Sequence, residues 1–337
     1  MTMPLVRVHG VDDVRVDIVD IPSPGDDDVL IEVSLCGICG SDLGYIGMGG
    51  LGMAQPMPLG HELVGKVAAT GRNVTRVAAG DRVVANPMAA GNLIGNGGSE
   101  GGFAPYLLVR DVATHPDSVF QVPDSISDEQ AALVEPLSVA LHACNQGALS
   151  ASDQVVVLGA GPVGLCTIAC LKYLGVKNVI AVDLSAFRRD CASRLGAIVF
   201  DPPAGNLGDF LMQQHGRAEL LGMPVPATDV YIEATGAGAV FEQCVNTART
   251  GARIVVLGLH KTAVPLDLAN VLLRELRIVG SMAYPREFPE VLKMLSEGGI
   301  DTAPLVSHRL PLSKFAEALS QARDAGQSAK VLVDCQA

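Results

Sequence analysis

Hydrophobic positions follow two regimes along this chain, and the change falls near residue 141. Before it, short valine-rich runs alternate with glycine and proline. Val29-Leu-Ile-Glu-Val-Ser-Leu35 and Leu63-Val-Gly-Lys-Val67 have strand length and strand composition, and Gly80-Asp-Arg-Val-Val84 reads as a turn entering a strand. The pattern predicts an all-β-like region with irregular loops. After residue 141, apolar strands alternate with helical segments. Val155–Leu158, Val179–Asp183, Asp229–Ala234, Arg253–Gly258 and Leu276–Gly280 are the strands. Helical pieces lie at Pro162–Lys172, Phe187–Leu195, Val240–Thr250 and Asn270–Leu273. Such alternation predicts an α/β fold with a doubly wound parallel sheet. The last stretch, Phe288–Ala337, carries two helical patterns (Phe288–Glu297 and Lys314–Arg323) and a strand, Lys330–Asp334. It is too short for a core of its own and is expected to fold back onto the first region.

Segment 44–60, crowded with glycine and methionine, is expected to be an apolar, mobile loop. The apolar run Val155–Leu171 approaches the length of a membrane span, but Gly159-Ala-Gly-Pro-Val-Gly164 divides it into strand, turn and buried helix.

Composition narrows the function. The 337 residues imply two domains, and a hydrophobic share of 49% supplies ample core. A net charge of −12 disfavours nucleic acid and anionic membrane surfaces. Met1-Thr-Met-Pro-Leu-Val-Arg7 contains no apolar signal core, so the eight cysteines are not expected to form a disulfide framework, and a cytoplasmic location is expected. Cys166, Cys170, Cys191 and Cys244 read as small core residues.

The glycine turn is a G-x-G-x-x-G. Here it follows a strand, opens a helix, and is succeeded by Asp183 at the end of the next strand, which is the context dinucleotide binding requires. Gly159 permits the tight turn, Gly161 lets the backbone approach a pyrophosphate, and Gly164 allows close helix–strand packing. Pro162 and Val163 open a helix whose free N–H groups face the phosphate. A carboxylate at Asp183 accepts from ribose hydroxyls and repels a 2′-phosphate, selecting NAD over NADP. Arg188 either stacks near the adenine or is a helix-surface charge.

Thiol, imidazole and carboxylate groups gather in the first region. Gly37-Ile-Cys-Gly-Ser-Asp42, Gly60-His-Glu62 and Glu135-Pro-Leu-Ser-Val-Ala-Leu-His142 contain the ligand types that zinc takes in catalytic sites with one open position. Each has a plainer reading alone. Cys36 and Cys39 form a C-x-x-C that could be a redox pair, although Cys36 fits better as a core-facing strand residue. A single His61 is more often structural.

Together these residues resemble the zinc-dependent medium-chain alcohol dehydrogenase superfamily over essentially the whole chain. The resemblance is carried by Gly60-His-Glu-Leu-Val-Gly65, Val67, Gly71, Val77, Gly80-Asp-Arg-Val83, Gly37-Ile-Cys-Gly-Ser-Asp42 and the glycine turn, in that relative arrangement. Glu135-Pro-Leu-Ser-Val-Ala-Leu-His-Ala143 is most similar to the branch of sorbitol, butanediol and threonine dehydrogenases. The resemblance implies a GroES-like catalytic domain from residues 1–140 and 282–337, and a Rossmann dinucleotide-binding domain from 141–281. It implies Cys39 and His61 as zinc ligands, with Glu62 a direct or exchanging ligand and Glu135 reaching the metal directly or through water. Ser41 would relay the substrate proton, so that Ser41, Glu62 and Glu135 carry catalytic roles. Asp42 would hold the ligand shell through His61 or nearby backbone. Thr235, Leu257, Gly258, Leu259, Ser281, Met282 and Ala283 would flank the nicotinamide. Tyr45 and Tyr284, with Ser41, would line the substrate pocket, although ordinary packing accounts for the tyrosines equally well.

Three departures from the family refine this. Segment 86–102 contains no cysteine, so the structural zinc lobe of many relatives is not expected and one catalytic zinc is. Gly44 stands where relatives have a histidine, so the proton must leave from Ser41 or a cofactor ribose through water. Ala283 stands where polyol dehydrogenases tend to place an arginine, pointing to a less hydroxylated substrate. The expected activity is NAD-dependent interconversion of a secondary alcohol or diol and its ketone. The alternatives are a zinc-free quinone or enone reductase on the same fold and a non-catalytic NAD-binding protein. A homodimer or homotetramer is expected, with edge strand Leu276–Ser281 pairing across a two-fold axis.

Overall fold

Two separate sheets account for the two hydrophobic regimes. The computed structural model describes residues 1–53 and 55–337. The second regime forms a six-stranded parallel sheet: β1 (Gln154–Leu158), β2 (Asn178–Val182), β3 (Ile198–Phe200), β4 (Val230–Glu233), β5 (Arg253–Val256) and β6 (Arg277–Gly280). Their spatial order is β3-β2-β1-β4-β5-β6. Helices cover both faces, so strands such as Gln154–Leu158 read as unbroken apolar runs. The order reverses between β1 and β4, which opens a crevice beyond their carboxyl ends.

The glycine turn sits at that crevice. Gly159 has φ 96°, a conformation closed to most side chains. A Cβ on Gly164 would stand 1.9 Å from the Gly159 carbonyl oxygen, so helix Pro162–Tyr173 packs only because that position is glycine. The helix lies against Val134–Gln146, and the two share a continuous core.

The first regime builds a seven-stranded sheet. Its main path runs Val306–Pro311, Lys330–Asp334, Val29–Gly37, Glu62–Thr70, Arg82–Ala85, Val119–Gln121, with Tyr106–Val109 also pairing with Val29–Gly37. The C-terminal segment does return here: Val333 pairs with Cys36 and Leu332 with Gly37. Cys36 is fully buried in its strand, and Cys166, Cys170, Cys191 and Cys244 are also buried.

Several elements differ from expectation. Segment 44–60 is not a single mobile loop. It begins inside helix Gly40–Met48, and Met57–Pro58 pairs with Arg7–Val8. The three glycines of that helix weaken its propensity, but a capping box between Cys39 and Asp42 starts it. Ala54, in the same segment, lies outside the described residues. An N-terminal hairpin (Thr2–Gly10 with Asp13–Asp20) and a second hairpin (Arg217–Leu220 with Met223–Pro226) are additional. Among the described residues, no helix is long and apolar enough to cross a membrane.

Candidate functional site

Antiparallel register brings the candidate ligands together. Gly37 pairs with Glu62, so the end of one central strand meets the start of the next. Chain leaving Gly37 enters helix Gly40–Met48, whose N-cap is Cys39. The Asp42 carboxylate accepts from the Cys39 N–H at 2.8 Å and from the Gly60 N–H at 3.4 Å. It thereby ties the two ligand-bearing turns together through their backbones. Gly60 has φ 93°, and a Cβ there would lie 2.7 Å from the Phe103 nitrogen.

The Cys39 thiol, the His61 imidazole and the Glu62 carboxylate each offer a donor atom, and these lie within 4.8 Å of one another. His61 and Glu62 are buried, at 3% and 0% exposure. His61 Nδ1 and Glu62 Oε2 are buried without a hydrogen-bond partner among the described residues. Soft thiolate, imidazole and carboxylate in this closeness, with donor atoms left unsatisfied, are a donor set suited to zinc.

Asp42 Oδ1 lies 3.6 Å from His61 Nδ1, close enough for charge attraction but too far for a hydrogen bond. Burial opposes charge on His61, yet the Asp42 carboxylate, Cys39 and Glu135 hold its imidazole well above the usual range. Ser41 Oγ lies 3.4 Å from His61 Nε2.

Glu135 enters from the first turn of helix Val134–Gln146 and is 7% exposed. It stands outside the 4.8 Å trio. Burial raises its carboxyl to about 7, opposed by the charge of His61 and reinforced by Glu62. Tyr284, also buried, lies beside Glu135. Burial and that carboxylate push its phenol well up. Its ring packs on Phe288 at 5.1 Å. Tyr45 is half-buried and donates its hydroxyl to Asn96 Oδ1 at 3.0 Å. Met282, Ala283 and Tyr284 line a cavity of about 280 Å³ with Asn86, Met88 and Asp117.

A further buried charge, Lys330, joins the site without belonging to any of the motifs. Its side chain is 1% exposed, and Nζ donates to Glu62 Oε1 at 2.6 Å and to the Ile38 carbonyl at 3.1 Å. Burial works against its charge, but Glu62 and Cys39 hold its pKa above the ordinary value. A lone lysine within Ala329-Lys-Val-Leu-Val333 was the available signal, since a charge in an apolar strand requires a partner.

At the glycine turn, the Ala160 N–H donates to Asp183 Oδ2 and the Ser185 N–H to Asp183 Oδ1, both at 2.7 Å. Asp183 thus stands at the end of β2, fixed against the turn. Arg188 is not a free helix-surface charge. Its Nε donates to the Ser328 carbonyl at 3.1 Å, crossing to the C-terminal segment. Its guanidinium lies 3.7 Å from the position a Gly161 Cβ would take. Arg189 is engaged with the Asp183 and Leu184 carbonyls and with Asp201. Thr235, Leu257, Gly258 and Leu259 follow β4 and β5, and Ser281, Met282 and Ala283 follow β6.

Residues 25–124 match the family model described as alcohol dehydrogenase GroES-like domain, and residues 162–297 match the zinc-binding dehydrogenase model. Sorbitol dehydrogenase of Mus musculus is 33% identical over 358 residues, covering 97% of this chain and 94% of its own length. Among solved structures, 2R,3R-butanediol dehydrogenase from Bacillus subtilis has a TM-score of 0.87 at 30% identity, covering 98% of this chain and 99% of its own. A zinc-binding dehydrogenase from Sinorhizobium meliloti, bound to NADP, has a TM-score of 0.84 at 30% identity, with 99% of both chains covered. The chain therefore belongs to the zinc-dependent medium-chain alcohol dehydrogenase superfamily and is an alcohol-oxidising dehydrogenase.

Proposed function

We propose that this enzyme interconverts a secondary alcohol or diol and the corresponding ketone, with NAD as hydride carrier and one zinc ion per chain. The observation that carries this reading is the close trio of half-buried Cys39 with buried His61 and Glu62, two of whose donor atoms are unpartnered among the described residues. Cys39 and His61 would hold the metal with Glu62, and Glu135, outside the trio, would reach it through water. Zinc bound there supplies Lewis acidity, lowering the pKa of an alcohol and polarising a carbonyl in the reverse direction. NAD supplies the hydride acceptor.

The chain's residues bind, orient and move the proton. Ser41 takes the hydroxyl proton, and Gly44 offers no side chain to pass it further, so exit is through water. Tyr45 and Tyr284 bound the substrate pocket. Residues 1–140 with 282–337 act as the catalytic half and 141–281 as the dinucleotide-binding half, with the substrate between them. The relatives named for sorbitol and for butanediol support a secondary-alcohol substrate. Asp183 favours NAD, and Arg189 is consumed by carbonyls and Asp201 rather than free for a 2′-phosphate. The cysteine-free segment 86–102 supports one zinc rather than two. Pairing of β6 across a two-fold axis would extend the sheet in a dimer or tetramer. Leu268, Leu272 and Leu273 are exposed on the helix preceding that strand.

Cys39→Ser tests the central claim. The variant should lose stoichiometric zinc and turnover on secondary alcohols while NADH still binds. Full turnover in a zinc-free variant would overturn the mechanism.

A further inference from the structure

One buried carboxylate stands at the middle of the dinucleotide sheet with no part in the proposed chemistry. Glu233 ends β4, between β1 and β5, and is 0% exposed. Its Oε1 accepts from the Thr235 N–H at 2.7 Å, from the Gly236 N–H at 3.0 Å, and from the Thr235 hydroxyl. Its Oε2 accepts from His260 Nε2 at 2.9 Å. The His260 ring is further held edge-on by Phe241, with centroids 6.0 Å apart.

These contacts join two loops over a third. Thr235 packs over the glycine turn, its Cγ2 lying 2.8 Å from where a Gly159 Cβ would be. Gly236 approaches Leu259 so closely that a Cβ would stand 2.4 Å from that carbonyl oxygen. Gly258 is equally confined, with the Glu233 Oε2 2.9 Å from its own Cβ position. The loops after β4 and β5 are therefore fixed to one another through a single carboxylate, with Thr235 lying over the turn after β1, and among the described residues His260 supplies the side-chain bond from the β5 loop.

Asp183 at the end of β2 marks the adenosine side of the crevice. The opposite side, over β4 and β5, is where the nicotinamide half of a dinucleotide must lie. We propose that Glu233 and His260 are positioning residues that set the nicotinamide half of the cofactor cleft by locking the β4 and β5 loops together. The pair touches neither substrate nor hydride. It holds Thr235, Leu257, Gly258 and Leu259 in the geometry that orients the ring. A buried carboxylate with four donors is rigid, and misplacement of a reacting ring by about 1 Å can cost 10²-fold in rate.

This rests on the dinucleotide reading above, and the test separates the two. Dissociation constants for NADH and for ADP-ribose, which lacks nicotinamide, are measured on zinc-loaded wild type, His260→Ala, His260→Gln and Glu233→Gln. His260→Ala should weaken NADH by about tenfold, the scale of one lost hydrogen bond to a charged group. ADP-ribose should remain within about twofold of wild type. His260→Gln, which restores a donor, should recover most of the NADH affinity. Glu233→Gln should repeat the His260→Ala pattern. Equal weakening of both ligands would mean general damage and would overturn the proposal, as would NADH affinity unchanged in His260→Ala. Wild type binding neither ligand would instead overturn the dinucleotide reading itself.

Discussion

Lys330→Met separates the structural cost of a buried charge from its effect on the metal. Lys330 and Glu62 are 1% and 0% exposed and meet at 2.6 Å. Methionine preserves most of the volume, so the change removes charge rather than packing. Deleting one partner of a buried ion pair leaves the other uncompensated, at a cost of about 3–5 kcal/mol. The Ile38 carbonyl also loses its donor, within the same range. In zinc-stripped protein, urea unfolding should show that full loss. In zinc-loaded protein, a cation held by the proposed trio would neutralise Glu62, and the loss should be smaller. Linkage then fixes the sign of a second measurement. If the loaded form loses about 1.4 kcal/mol less than the stripped form, the variant binds zinc about tenfold more tightly. The variant is thus expected to be less stable and to hold metal better. Competition against a chelator, with urea midpoints in both forms, measures each quantity. Weaker zinc binding in the variant would refute the reasoning, as would stripped proteins of equal stability.

Cofactor choice is tested by Asp183→Asn. The ratio of kcat/KM for NAD over NADP should fall by at least about tenfold, and an unchanged ratio would remove Asp183 from selectivity. His215 is expected to shape acid stability. Burial holds its imidazole down at about 4, against 6.5 for the free group. The unfolded chain therefore takes up the proton first, and this contribution is whole above pH 6.5 and lost as pH falls towards 4. Its size is at most about 3 kcal/mol. Denaturation midpoints across that window should flatten in His215→Asn, and an identical slope in the variant would dismiss the group. Sedimentation should give the mass of a dimer or tetramer, and a monomer at micromolar protein would sink the proposed β6 pairing.

The parts of the fold legible in sequence are those whose apolar residues are buried. β1, β2, β4 and β5 are continuous apolar runs because helices cover both faces, and their boundaries emerge within a residue or two. The N-terminal hairpin alternates as a strand should in Asp13-Val-Arg-Val-Asp-Ile-Val-Asp20, yet Val16 and Ile18 are 47% and 70% exposed. An alternation that buries little gives weak evidence of a core face. The hairpin at Arg217–Pro226 is concealed by its turn. Leu221 takes φ 50° where asparagine or aspartate would announce the reversal, and two prolines interrupt the second strand. Helix Gly40–Met48 is concealed for the opposite reason: its glycines argue against it, and its start depends on a cysteine cap.

The site divides along a similar line. Cys39, His61, Glu62 and the glycine turn are readable because their chemistry demands fixed residue types at short spacing. Lys330 lies 268 residues from Glu62, and His260 lies 27 from Glu233. Neither separation carries a motif, and only strand register or loop packing brings the pairs together. What sequence does contain is the unpaired half of each: a lysine among valines and a glutamate closing an apolar strand. Since buried charges require partners, each predicts that a counter-group exists without identifying it. Gly37 shows the same dependence in reverse. A Cβ there would fall 2.2 Å from Glu62 Oε2 and 3.2 Å from Lys330 Cδ. Its lack of a side chain is a requirement imposed by the Glu62 carboxylate and the Lys330 methylene stem beside it, so a motif that reads Gly-x-Cys is in part the imprint of a lysine nearly three hundred residues away.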